Sequence, residues 1–150
     1  MDFSHGFLLF YMVLICYNLG TIWFAQIVVY PLFAKVGPSD YVIYHKFYSS
    51  RIPLPIIIPG FSCFLAPIAL IFLRPESVPL GLALANAACG LLGLWVTVAL
   101  EIPRHDRLER GGKQPEVIQE LIRYNWPRTF SISGSAIFTV AMLLMAFLPA

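Results

Sequence analysis

Four stretches of this 150-residue chain stay apolar long enough to cross a bilayer, and that pattern constrains the fold more than any other feature. A helix needs roughly 20 such residues to span the hydrocarbon core. The runs lie near residues 7–33, 52–73, 79–100 and 129–148. Only 12% of the chain is charged, where a soluble domain carries about 25%. So much apolar surface needs lipid as a partner. The expected fold is all-α, a transmembrane antiparallel four-helix bundle forming a single integral membrane domain over residues 1–150. The first run is read as a span rather than a cleavable signal, because Asp2 and no Lys or Arg precede it and it outruns a signal core.

Charge orients the bundle. Lys35, Lys46 and Arg51 fall in the first loop, whereas Arg104, Arg107, Arg110, Lys113, Arg123 and Arg128 fall in or beside the third. Only Arg74 lies in the second. Positively charged loops stay in the cytoplasm, so loops one and three are expected there, with both termini outside, in a plasma (inner) membrane. Acids nearly balance the bases at a net +2, and no nucleic-acid footprint is visible. Cys16, Cys63 and Cys89 sit inside spans without paired spacing, which favours packing over zinc or disulfides.

The chemistry-bearing residues gather around the third span. Asn86, Gly90, Gly93, Thr97 and Glu101 recur at steps of three and four, so they share one helix face. Helix packing accounts for the first four. Glu101 differs, since a carboxylate at the membrane edge needs a partner. Arg104, His105 and Arg128 are available, and His105 lies one turn on. Glu101 and His105 can act as an acid/base pair or, with His45, as metal ligands.

The loops are structured by composition. Gly37-Pro38 ends the first helix, Ser39 or Asp40 can cap a second, and Tyr41, Tyr44, His45 and Tyr48 then share its face. Gly111-Gly112 breaks the third loop, and Pro115 starts an amphipathic stretch leading to Asn125, Trp126 and Arg128. Two short interfacial helices on the cytoplasmic side are therefore expected. In the first span Asn18 and Gln26 need polar partners inside the bundle. Pro53, Pro55, Pro59 and Pro67 predict an irregular start to the second span, beside a cavity.

The runs Pro103-Arg104-His105-Asp106-Arg107-Leu108 and Arg123-Tyr124-Asn125-Trp126-Pro127-Arg128-Thr129 resemble those of the anthrone oxygenase-like family of small four-helix membrane proteins, most of unknown function. The second run fits an Arg-x-Asn-x-x-Arg-Thr pattern, and in the first His105 stands where the family has an amide. The close match covers about a quarter of the chain. The resemblance implies oxidation of a polycyclic aromatic substrate by dioxygen, with no evident cofactor motif; the histidine substitution leaves a metal or haem open.

Two main readings follow. In the first, the protein is an oxidoreductase acting on a hydrophobic aromatic or quinone-like molecule taken from the bilayer. Trp23, Gln26, Tyr41, Tyr44, Tyr48 and Trp126 would line its mouth. Glu101, His45 and His105 would handle protons, while Asn125 and Arg128 would hold a developing oxyanion. In the second, the chain is a non-catalytic subunit or a lipid-, quinone- or haem-binding module, with other membrane subunits or copies of itself as partners. A transporter is disfavoured, because no inverted repeat and no charge near a span centre are evident.

Overall fold

A helix satisfies its backbone groups within one segment and without water, and four long apolar helices dominate this chain. The computed structural model describes residues 2–148, and among them there is no strand. Helix α1 runs Phe3–Phe33, α2 Tyr41–Arg51, α3 Pro53–Leu73, α4 Leu80–Gly111 and α5 Pro115–Phe147. All but α2 are long and apolar enough to cross a bilayer. The chain is thus an integral membrane protein. Phe72, Ile137, Val13 and Leu65 point outward and stay exposed, as lipid-facing residues do.

Caps and breaks follow local chemistry. Asp2 accepts the His5 backbone N–H at 3.0 Å and caps α1. Gly112, at φ +74°, ends α4 in a backbone conformation that a side chain would strain. Pro115 opens α5, where its missing N–H costs nothing.

Three helices widen by one residue into a π-helical turn, at Ala25–Val29, Pro53–Ile57 and Thr97–Glu101. Proline explains all three. The N–H groups of Tyr30, Ile58 and Ile102 reach back five residues to Ala25, Pro53 and Thr97. Each of those donors directly precedes a proline: Pro31, Pro59 and Pro103. A proline ring clashes with the carbonyl four residues back in a regular helix, and a wider turn relieves the clash. One freed carbonyl, that of Pro55, accepts the Tyr17 hydroxyl at 2.8 Å.

The wide turn before Pro103 corrects the expectation that the third span ends near residue 100. Helix α4 continues through Pro103 to Gly111. Likewise the stretch after Pro115 is no separate interfacial helix. It is the first part of α5, which passes through Pro127 to Phe147. Only Gly112, Lys113 and Gln114 remain as a loop. The predicted helix in loop one does form as α2, although Asp40 at its start makes no side-chain cap bond.

Polar stitches and small residues hold the bundle. Asn86 on α4 accepts from Tyr11 on α1 at 3.1 Å and donates to Thr139 on α5 at 3.1 Å. Gly90 lets α4 approach the Phe64 backbone of α3. Along α1 and α5 the contacts climb in opposite order: His5 with Phe147, Trp23 with Ser133, Gln26 with Asn125. One apolar cluster surrounds Leu8, Ile15 and Leu70; a second joins Tyr30, Phe33, Tyr41, Leu108 and Leu121. The polar site lies between them.

Candidate functional site

The three π-turns converge on one cavity. It holds about 390 Å³ and is lined mainly by apolar side chains, among them Ile22, Ile56, Phe61, Phe64 and Ile132. Its polar lining includes Asn18, Tyr30, Thr97, Glu101, His105 and Arg128, with Tyr48, Ser49, Asp106 and Glu109 also on it. The volume falls in the range of small-molecule sites, which are concave, mostly apolar and carry a few placed polar groups.

Glu101 ends the third wide turn and is 1% exposed, facing this cavity. Among the described residues neither of its carboxylate oxygens finds a hydrogen-bond partner. A buried carboxylate without a partner costs several kcal/mol, so such a group marks a site rather than a packing element. The partners expected for it are engaged elsewhere. Arg104 turns away to Glu120 at 3.0 Å and stacks on Tyr124 at 4.2 Å. His105 meets His45, and Arg128 donates to the Tyr30 hydroxyl at 3.1 Å and to Thr97 at 3.4 Å. Arg128 keeps its Nε free of any partner among the described residues.

His45 and His105 form a pair, their rings tilted at 36° with centroids 5.4 Å apart. Nε2 of His45 lies 3.2 Å from Nδ1 of His105, and Nε2 of His105 lies 3.4 Å from the Tyr30 oxygen. Phe33, Tyr41 and Tyr48 surround His45 with ring centroids 5.5–6.1 Å away. Burial pushes the His45 pKa down, with Glu109 pulling weakly the other way. The Glu109 carboxylate lies 3.8 Å from His45 Nδ1, and the Ser49 hydroxyl lies 3.5 Å from it. Burial also pushes the hydroxyls of Tyr41 and Tyr48 up to about 12, so both stay protonated.

Several expected members stand apart from the cavity. Asn125 donates to Gln26 at 2.8 Å, Gln26 donates to the Ile122 carbonyl at 3.1 Å, and Thr129 closes this buried knot between α1 and α5. Neither amide lines the cavity. Trp23 and Trp126 pack edge to face at 5.8 Å on the outer side of the same two helices, and the Trp23 indole donates to Ser133. Tyr41 stacks on His45 and Tyr44 packs edge to face on Phe33, so Tyr48 alone of the expected aromatic mouth reaches the cavity. A three-ligand metal set of His45, Glu101 and His105 does not form. Among the described residues no three His, Cys, Asp or Glu side chains gather closely enough, because the imidazoles turn toward each other and Tyr30. The three cysteines are free.

Tyr30 is the residue that sequence reasoning missed. It is not among the expected site residues, yet it is 2% exposed and joins His105 to Arg128. Its signal was the spacing of one turn from Gln26, itself a polar residue that had to face inward. Comparison with protein-family models, with curated proteins and with solved structures finds no match for this chain.

Proposed function

We propose that the protein is a membrane-embedded, oxygenase-like oxidoreductase that takes a hydrophobic aromatic or quinone-like molecule from the bilayer. The observation that carries this reading is the unpartnered Glu101 carboxylate at an apolar cavity, on whose wall Tyr30 and Arg128 also stand. An aromatic ring system fills such a space without leaving polar groups unmet, and one oxygen on it would be held by the Arg128 guanidinium. Glu101 acts as general base on a ring methylene made acidic by a neighbouring carbonyl. The resulting enolate gives its electrons to dioxygen; one oxygen atom stays as a new ring carbonyl and the other leaves as water with two protons. The resemblance of the 103–108 and 123–129 runs to the anthrone oxygenase-like family supports the same chemistry. The site lies toward the end of the bundle bearing nine of the ten Lys and Arg, the cytoplasmic end by the positive-inside rule, with the helices antiparallel.

The test is oxygen uptake by the purified protein in lipid nanodiscs supplied with a tricyclic anthrone, alongside the Glu101→Gln variant. Wild-type protein should form the quinone, and the variant should lose about a hundredfold or more of that rate while keeping its helical spectrum. Equal rates in the two proteins would refute the base. Binding of the anthrone without any oxidation would assign the chain to the class of non-catalytic binding subunits instead.

A further inference from the structure

On the reading of Glu101 as the base, its proton has to be carried away from the buried carboxylate, and side chains along one wall of the cavity are ordered for that task. Arg128 donates to the Tyr30 oxygen, so the Tyr30 O–H is free to donate elsewhere, and His105 Nε2 lies 3.4 Å away as its acceptor. His105 must then carry its proton on Nδ1, which lies 3.2 Å from His45 Nε2. His45 in turn carries its proton on Nδ1, which faces Ser49 at 3.5 Å and Glu109 at 3.8 Å. Two imidazolium rings this close would repel, so no more than one is charged at a time. Each neutral ring offers one donor and one acceptor, and Arg128, which can only donate, sets the direction of the whole chain.

We propose that Tyr30, His105 and His45 form a proton relay along the cavity wall, from the buried Tyr30 to the half-exposed Glu109 carboxylate, which lines the same cavity at the charged end of the bundle. One proton enters at the Tyr30 oxygen as its own passes to His105 Nε2. The His105 Nδ1 proton moves to His45 Nε2, and the His45 Nδ1 proton leaves to Glu109. One proton enters and one leaves, no electron moves, and both rings end as the opposite neutral tautomer. Every group facing His45 fits this role: His105 and Glu109 come from α4, Tyr41, Tyr48 and Ser49 from α2, and Phe33 from α1. Among these, Glu109 is the charged group, and it stands at the outlet. Burial keeps His45 neutral at rest, as a carrier rather than a trap must be. The relay rests on the reading of Glu101 as the base, but it can be measured without substrate.

The experiment is a light-triggered pH jump on the protein in nanodiscs, following the infrared carboxyl band that disappears in Glu101→Gln. His45→Ala should slow re-equilibration of that band by about a hundredfold, the low end of what a positioned proton carrier contributes, and added imidazole should restore it. Glu109→Gln, at a half-exposed position that folding tolerates, should slow it as well. Unchanged rates in both variants would overturn the relay, as would a slowed His45→Ala that imidazole fails to rescue. Histidine-dependent exchange in a protein that oxidises no anthrone would keep the relay and sink only the oxygenase reading.

Discussion

Replacing Gly90 by alanine tests whether α4 owes its position to close backbone approach. A Cβ built there lies 2.7 Å from the Phe64 carbonyl oxygen and 3.3 Å from the Pro67 ring. The first contact is with backbone, which no rotamer change can relieve, so α3 and α4 must part. Alanine gains about 1 kcal/mol over glycine from helix propensity alone. Overpacking in a filled core costs about 1–3 kcal/mol. Gly20 supplies the reference, because a Cβ there meets nothing within 4 Å. Gly20→Ala should therefore be neutral or more stable by up to about 1 kcal/mol, and Gly90→Ala should fall below it by about 1–3 kcal/mol. The assay is reversible unfolding in mixed micelles of increasing denaturing detergent, read by helical circular dichroism. A Gly90→Ala protein as stable as Gly20→Ala would refute the argument that this stripe exists for backbone contact. The same measurement on ligand binding is informative, since Phe64 lines the cavity and moves with α3.

Stability should also depend on pH through His45. Its folded pKa is pushed below the ordinary 6.5 by burial, so the unfolded chain binds the proton more tightly. The stabilisation is complete above about pH 6.5 and is lost as pH falls below it. Thermal midpoints between pH 8 and 5 should decline for the wild type and flatten for His45→Gln; parallel curves would show that His45 is not the group responsible. Orientation is open to a direct probe at the exposed Glu76, on the turn between α3 and α4. A Glu76→Cys protein should react with a membrane-impermeant thiol reagent added outside the cell, and labelling from the cytoplasmic side only would reverse the proposed topology.

The chain's own pattern was enough for the number and type of elements. Runs of apolar residues longer than 20 leave no alternative to membrane helices, and this is a local property of composition. The inward stripe of Asn86, Gly90, Gly93, Thr97 and Glu101 was equally legible, because helical periodicity alone determines it. All five are buried. Partner choice was not legible. Glu101 had three nearby cations or histidines in sequence, and each proved committed elsewhere: Arg104 to Glu120, His105 to His45, Arg128 to Tyr30 and Thr97. Such pairings join residues 31 to 98 positions apart across α1, α2, α4 and α5, apart from the Arg104 link at 16. No periodicity within one helix encodes them.

The prolines mark the same boundary between local and tertiary information. Sequence placed an irregular start in the proline-rich second span and ended the third span before Pro103, since proline removes a donor and crowds the preceding turn. Whether a helix then stops or widens depends on what its neighbours can hold. Here α1 and α4 each gain one residue in a π-turn and continue, which swings Tyr30 and Glu101 inward onto one cavity. Composition and periodicity thus decided that there would be four membrane helices and which faces they would bury. Only the packing of those helices decided that Glu101 would face the cavity without a partner, because an unmet carboxylate is defined by where every other donor has gone.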